Sequence, residues 1–507
     1  MIARGQNFKQ IPLNIVGSSI FGRYPKISIE KTYNMFQSDT FMVPYAGYQI
    51  GIPSSAFVKV PGVGKAAVGR AIFTSTKLDK LIIVMDNNVF LVDVTFSQQD
   101  EMITNYQVLF LGQLQTSTGV VYITENNKPQ ICISDGVSIY IYDPTLTPPF
   151  QIATTNFAPG YVTFHDTYFI CAASNDFFYD PPAYNTWRLS EQNNGMIWPE
   201  GSSNIGLLQT KPDNTQAVVR FPSKGNMILV MGSNVTEAWF DTGAQLFPYQ
   251  RNNQFNIDYG CLQPATVAYM DEIVVWLAQN EKSGPIIMYS TGGMPQKITT
   301  DGIDYFFSQL NNPADSQGFL YRQDGHLFYH INFYTDKVSL FYDFNMQKFY
   351  HASDQNLSYF IAAEVAFFRN QYYFVTKNNG NMFIFDTIYT TYEDVDKDGN
   401  VFITSIPQSR TCQNIRLPSQ EYFVANDVGF TIETGSSNNP SRVDLSVSRD
   451  GGASFSNDFG YVLPGIGQRK NRLMWWQIGA ANDMVCQFKF WSLGRFVVTD
   501  GVVNIRQ

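Results

Sequence analysis

Lys80 to Val94 reads KLIIVMDNNVFLVDV, and its reading decides the fold. Two apolar runs, rich in β-branched residues, flank Asp86, Asn87 and Asn88. Such polar turn residues tolerate the positive φ that a tight hairpin needs. The plan returns along the chain. Gln130 to Pro144 reads QICISDGVSIYIYDP, Thr167 to Pro181 reads TYFICAASNDFFYDP, and Gly225 to Gly243 reads GNMILVMGSNVTEAWFDTG. Asp271 to Gly292 reads DEIVVWLAQNEKSGPIIMYSTG, Gly325 to Asp343 reads GHLFYHINFYTDKVSLFYD, and Asn370 to Asp386 reads NQYYFVTKNNGNMFIFD. The hairpins recur every 48 residues or so, about the repeat of a four-stranded propeller blade. A lone hairpin cannot bury its own faces, whereas stacked blades can, with the aromatic excess filling the layers between them. The pattern predicts an all-β chain with a β-propeller of about seven hairpin units. A set of β-sandwiches is the alternative that the uneven spacing leaves open.

The rest of the composition agrees. A chain of 507 residues is too long for one ordinary core. Charged residues are 15% and aromatics 15%, with 41 Phe and 29 Tyr. That balance favours pleated sheets and a surface partly covered by partner subunits. The formal net charge is −9 with no lysine or arginine block, which argues against tight phosphate binding. It suits a wall past which DNA slides, and equally an ordinary acidic cytoplasmic protein. Cys132, Cys171, Cys261, Cys412 and Cys486 are odd in number, widely spaced and free of any CxxC, as reduced core thiols would be. Met1 to Gly22 has no continuous apolar core of a secretory signal, and no uncharged apolar run is long enough to span a membrane.

Helical signals are sparse: Ile303 to Leu310 suits a turn or two. Trp187 to Thr215, with Asn193, Asn194 and Gly195 at its centre, reads as a long polar loop. After Asp386 the texture changes. Tyr392 to Asn400 is an acidic turn, and alternating strands follow, including Val443 to Ser448 and Gln487 to Val498. We expect three parts: 1–60 packing on or closing the propeller, the propeller over 61–400, and a C-terminal β-sandwich over 401–507.

Four motifs bear on chemistry. Ser448, Asp450, Gly452, Ser454 and Phe455 in SRDGGASF fit an Asp-box hairpin. There the carboxylate caps the turn, glycine supplies the unusual φ, and the aromatic anchors the turn to the core. The box is structural, and a glycan-binding or glycan-cleaving propeller is the rival that it and the aromatics suggest. Asp394, Asp396, Asp398 and Gly399 imitate the start of a calcium loop, but Ser405 stands where the bidentate Glu belongs, so an acidic hairpin is expected. Gly62, Gly64 and Ala67 fit a degenerate dinucleotide fingerprint that lacks its following helix. Of the four histidines, His165 and Asp166 are neighbours that point to opposite faces of a strand. His326 and His330 would stand roughly 13 Å apart along a strand, too far to share a metal. No GxSxG or HExxH occurs. We expect no catalytic site, no cofactor and no metal.

Several segments together resemble the packaged-DNA stabilisation, tail hub or nozzle proteins of short-tailed bacteriophages. The clearest is Met231 to Gly243, MGSNVTEAWFDTG, in which Gly232, Ser233, Glu237, Trp239 and Gly243 match that family's signature strand pair. Gly260 and Cys261, Trp276 and Leu277, and Pro295 to Thr300 follow in the family's order. Upstream, Tyr33 to Phe36, Val60 to Gly62 and Trp187 to Trp198 resemble its N-terminal segment and pre-signature loop. Downstream, Ser448 to Phe455 and Arg472 to Ala480 resemble its C-terminal strands, although Met474 to Gln477 replaces an arginine-rich run. The resemblance spans Tyr33 to Val502 and rests on shared order. It implies a virion protein that is not an enzyme: a hexameric ring of copies beneath the portal and its adaptor. Such a ring extends and closes the DNA channel, holds packaged DNA in without sequence-specific binding, and anchors spikes, fibres or a needle. Assembly would take place in the host cytoplasm.

Overall fold

The computed structural model describes residues 8–23, 29–270, 272–396, 398–434, 441–463, 469–492 and 494–506. Met1 to Asn7, Asp271 and Lys397, on which sequence expectations fall, lie outside the described residues. The hairpin that opened the sequence reading explains the architecture. In Lys80–Met85 every residue after the lysine is buried. Leu81, Ile83 and Met85 pack to one side, against Ala366, Phe368, Tyr373 and Val375. Ile82 and Val84 pack to the other, against Ile131, Ile133 and Tyr140. Successive side chains of a strand point to opposite faces, so a run apolar at every position belongs to a sheet covered on both faces.

Seven such sheets follow one another among the described residues. Blade 1 is Gly69–Ser75, Lys80–Met85, Asn88–Ser97 and Met102–Gln113. Blade 2 is Tyr122–Glu125, Ile131–Ser134, Ile139–Tyr142 and Phe150–Ala153. Blade 3 is Phe157–His165, Tyr168–Asp176, Thr186–Leu189 and Ile205–Leu207. Blade 4 is Thr215–Arg220, Met227–Gly232, Thr236–Asp241 and Tyr249–Ile257. In blade 5, Gly260–Cys261 and Ala268–Met270 share the inner position beside Ile273–Gln279, Ile286–Ser290 and Gln296–Lys297. Blade 6 is Ser316–Gln323, His326–Phe333, Val338–Asp343 and Lys348–Ala352. Blade 7 is Ala362–Phe368, Gln371–Thr376 and Met382–Asp386, completed by Gly47–Ile52 from the N-terminal part of the chain.

An apolar cluster fills each junction between neighbouring blades, and the cluster shared by blades 7 and 1 closes the circle. The aromatic excess is concentrated between blades 6 and 7, where Tyr45, Tyr48, Phe328, Phe341, Phe360, Phe374, Phe383 and Phe385 pack. Each hairpin quoted above holds the second strand of a blade, with one correction. In blade 3, Phe177 to Pro181 is a turn, and the partner strand is Thr186–Leu189. A fully buried ion pair, Arg188 to Asp176 at 2.6 Å, fixes that excursion. The expected long loop from Trp187 to Thr215 is likewise interrupted by two strands that pair, Thr186–Leu189 with Ile205–Leu207. The helical expectation corresponds to Asp301–Ser308, which buries Ile303 and Phe307 against blades 5 and 6.

A β-sandwich adjoins blade 6. One of its sheets holds Met35–Ser38, Phe41–Pro44, Val497–Arg506, Phe423–Glu433 and Lys470–Ala481, with Phe8–Leu13 paired to Val497–Arg506. The other runs Gln408–Thr411, Val485–Trp491, Arg442–Ser448 and Phe459–Val462. Lys31–Tyr33 bridges this second sheet to Lys348–Ala352, so the sheet is continuous with blade 6. Phe430, Leu445, Leu473, Trp475, Phe488 and Val503 are among the residues of the sandwich core.

Candidate functional site

The family-signature residues form the central hairpin of blade 4. Gly232 ends one strand, and its N–H donates to Val235 O at 2.7 Å. Asp213, from the approach to the blade, caps the turn: its Oδ2 accepts the N–H groups of Asn234 at 2.7 Å and Val235 at 3.1 Å. A Cβ on Gly232 would overlap the Asp213 carboxylate, so glycine makes room for the cap. Ser233 Oγ accepts from Gln216 Nε2 at 3.0 Å. Gly243 has φ +64°, and its N–H donates to Asp241 Oδ1 at 2.8 Å. Gly260 lies against the same turn, where a Cβ would overlap backbone atoms of Gly232, Ser233 and Asn234.

Glu237 is fully buried in this hairpin. Its Oε1 accepts from Gln209 N at 2.8 Å, Thr210 N at 2.6 Å and Thr210 Oγ1 at 2.6 Å. Its Oε2 accepts from Trp239 Nε1 at 3.0 Å, and Arg251 Nε stands 3.6 Å away. Trp239 packs edge-on to Trp187 with ring centroids 5.4 Å apart, joining blades 3 and 4. Both oxygens of the buried carboxylate therefore hold backbone and indole donors in place. This constellation builds the fold; it presents no reactive group.

The Asp-box turn of the sandwich behaves the same way. Asp450 Oδ1 accepts the N–H groups of Ala453 and Ser454, each at 3.0 Å, and Oδ2 accepts Ser454 Oγ at 2.6 Å. Those bonds hold its carboxyl well below the usual carboxylate range, with the Ser454 hydroxyl first among them. Ser448 Oγ donates to Asp450 Oδ1 at 2.7 Å and accepts the Gly452 N–H at 2.8 Å. Gly452 has φ +96°. Phe455, expected to anchor the turn, is 38% exposed. The turn holds through its own hydrogen bonds and needs no aromatic peg.

The acidic segment is a hairpin of Thr391–Val395 and Val401–Ser405. Asp396 Oδ1 accepts the N–H groups of Asp398 at 2.9 Å and Asn400 at 2.8 Å. Asp394 Oδ1 accepts from Asn379 Nδ2 at 3.0 Å. These two carboxylates serve turn formation, and strands flank them where a calcium hand has helices. Gly62 and Gly64 both have positive φ, but the strand Gly69–Ser75 follows them, where a dinucleotide site needs a helix.

All four histidine rings are engaged inside the fold. His165 Nδ1 meets Tyr249 Oη at 2.8 Å, and His326 Nδ1 meets Asp343 Oδ2 at 2.8 Å. His330 lies between Tyr45 Oη and Asn332 Oδ1, and His351 Nδ1 meets Ser19 Oγ at 2.8 Å. Burial pushes the imidazoles of His330 and His351 down to about 3.

Sequence reasoning passed over three polar groups that matter structurally. Asp213 carries no local signature of its capping role. Arg410, buried, donates to the carbonyls of Asn14, Ile15 and Ser18 and to Glu30, clamping the N-terminal strap to the sandwich. Glu364 is the lone carboxylate of the apolar run FIAAEVAFF, a visible signal of a buried charge.

The sequence model described as bacteriophage P22 Gp10, beta-propeller, matches residues 102–389. The one described as bacteriophage P22 Gp10, beta-sandwich, matches residues 416–506. No curated protein sequence matches the chain. Among solved structures, virginiamycin B lyase from Staphylococcus aureus is 11% identical with a TM-score of 0.42, covering 67% of this chain and 99% of its own. A streptogramin B lyase is 10% identical with a TM-score of 0.40, covering 67% of this chain and 97% of its own. A fungal alcohol oxidase in complex with copper is 10% identical with a TM-score of 0.39, covering 90% of this chain and all of its own. Likenesses this distant carry no argument about what the chain does. The propeller match alone takes in more than half of the residues, and the sandwich match follows it in order. The chain belongs to the bacteriophage P22 Gp10 family, the tail hub and stabilisation proteins of short-tailed phages, and is a structural protein of a phage tail.

Proposed function

We propose that copies of this chain form a hexameric ring beneath the portal and its adaptor. The ring extends and closes the DNA channel, retains the packaged genome, and anchors spikes, fibres or a needle. Assembly occurs in the host cytoplasm, and the signature residues take no part in catalysis. Within each copy we assign 61–400 to the propeller and 401–507 to the sandwich, with the strands of 1–60 shared between them.

The observation that carries this reading is the family match of propeller and sandwich in succession. The size of the axial cavity supports it. The space among the inner strands of blades 2, 3, 6 and 7 and the Pro264–Thr266 turn of blade 5 is about 100 Å³. A DNA duplex, whose major groove alone is about 12 Å wide, does not fit there. That supports a channel running between copies, as in a ring. The net charge of −9 suits a lining that lets phosphates pass.

Electron microscopy and native mass measurement of the purified chain, alone and with adaptor-bearing portal complexes, test the proposal. The expected result is a closed ring that adds to the adaptor end. A chain that stays monomeric and does not add to those complexes refutes it.

A further inference from the structure

The axial cavity contains a carboxyl that no basic side chain faces. Glu364 projects from the inner strand of blade 7, and its Oε2 accepts the Ile72 N–H of blade 1 at 3.1 Å. Its Oε1 makes no hydrogen bond to a described residue, and the cavity lies in front of it. Tyr122 of blade 2 and Tyr161 of blade 3 line the same space with ring centroids 5.0 Å apart. Neither hydroxyl has a hydrogen-bond partner among the described residues, and both rings lie within electrostatic reach of Glu364. Gln317 of blade 6 adds an amide whose Oε1 already accepts the Tyr334 hydroxyl at 2.9 Å. Among the described residues that line the cavity, none is basic.

Glu364 is half-buried, and a carboxylate withdrawn from bulk water with no basic partner is met by a proton, by cavity water or by a cation. Burial, partly offset by the Ile72 N–H, pushes the Glu364 carboxyl up to about 8, so near neutral pH the empty site would be poised between protonated and charged. The space of about 100 Å³ has room for an ion and some of its water. The available donors are all oxygen, which selects hard cations over thiophilic ones.

We propose that this cavity binds one hard metal cation, with Glu364 as its anionic ligand and the Tyr122 and Tyr161 hydroxyls as neutral ones. The cation ties blades 2, 3 and 7 together at the axis, and through Ile72 it also reaches blade 1. It is thus a stabilising bolt of the propeller, separate from the tail role proposed above.

The test uses the full chain, freed of metal with a chelator. Thermal unfolding is followed in choline chloride, sodium chloride, potassium chloride and calcium chloride at one ionic strength. Choline is too bulky for the cavity and serves as the reference. At least one metal chloride is expected to raise the midpoint by about 2 °C or more over choline, and Glu364→Gln to erase that gain. Equal midpoints in all four salts overturn the proposal, as does a gain that survives in Glu364→Gln. Terbium provides a second readout, because Tyr122 and Tyr161 would sensitise its emission. Emission should fall in Glu364→Gln and in Tyr161→Phe, which keeps the carboxylate if the Gln variant does not fold. It should persist in Asp396→Asn, which disturbs the acidic hairpin instead. Emission unchanged by Tyr161→Phe, or lost with Asp396→Asn, places the ion elsewhere and refutes the site.

Discussion

Replacing Glu237 by alanine tests whether the family signature is there to build the blade. The side chain is fully buried and accepts four hydrogen bonds, from Gln209 N, Thr210 N, Thr210 Oγ1 and Trp239 Nε1. Truncation strands these donors and leaves Arg251, 3.6 Å away, without its carboxylate. A buried donor left unpaired costs about 1–3 kcal/mol. Thr210 is only partly buried, so water can reach it, whereas the indole N–H of Trp239 is sealed against Trp187. One donor fully stranded and three partly rescued by water give a loss of about 2–4 kcal/mol. The control is Glu281→Ala, which removes an exposed pair with Lys211 at 3.8 Å and should cost under about 1 kcal/mol. Urea unfolding followed by tryptophan fluorescence reads the change, because Trp187 and Trp239 sit at the affected junction. Loss of Glu237 costing no more than loss of Glu281 would refute the reasoning.

Further expectations follow from single contacts. Gly260→Ala places a Cβ onto the backbone of Gly232 to Asn234, which cannot yield, so we expect a loss above about 3 kcal/mol or insoluble expression. Arg410→Ala breaks a buried pair with Glu30 and three carbonyl bonds, at about 3–5 kcal/mol. Limited proteolysis should then cut between residues 14 and 23, and resistance there would contradict the clamp. In choline chloride the wild-type chain should lose stability as pH rises from about 6.5 toward 8, above the histidine range, because folding holds a proton on Glu364 that the unfolded chain releases. Glu364→Gln should be flat across that window, and a slope unchanged by the substitution assigns it to other groups. His330 and His351 act in the opposite direction. They stay neutral when folded, so stability should fall as pH drops from about 6.5 toward 3, measured by acid unfolding of the Glu364→Gln variant.

The middle strands of the blades were legible because both of their faces are buried, which writes an apolar residue at nearly every position. Leu81 to Met85 and Ile228 to Met231 are examples. Edge strands lack that signal. Met102–Gln113, the outer strand of blade 1, has no buried residue, and Thr104, Asn105 and Gln107 interrupt its apolar run. Phe177 to Pro181 imitated a strand because aromatic side chains satisfy the same pattern when they line a turn beside Arg188. The completion of blade 7 by Gly47–Ile52 joins residues more than 330 positions apart, and no local pattern encodes such a pairing. At the candidate sites, the caps at Asp450 and Asp396 were readable because their partners lie within four residues. The cap at Asp213 was not, since its partners begin 21 residues later.

Gly232, Glu237 and Trp239 of the signature-like hairpin lie inside the fold, away from the surfaces left to meet partners. Gly232, Glu237 and Trp239 hold blade 4 together, and Gly260 seats blade 5 against it. None of these four presents a side chain to a neighbour. The large apolar side chains left exposed lie elsewhere: Met102, Tyr106 and Leu109 on the outer edge of blade 1, and Phe459, Val462 and Trp476 on the sandwich. Outer edges are where a strand retains unpaired backbone groups, and exposed apolar side chains beside them suit contact with another chain. In the proposed ring, changes at Leu109 or Trp476 should therefore alter assembly while leaving the unfolding midpoint of the single chain within about 0.5 kcal/mol of wild type. Changes at Glu237 should do the reverse, lowering stability before they touch assembly. A Leu109→Glu, Trp476→Glu double variant that still forms rings with adaptor-bearing portals would show that these surfaces are not the ones the ring uses.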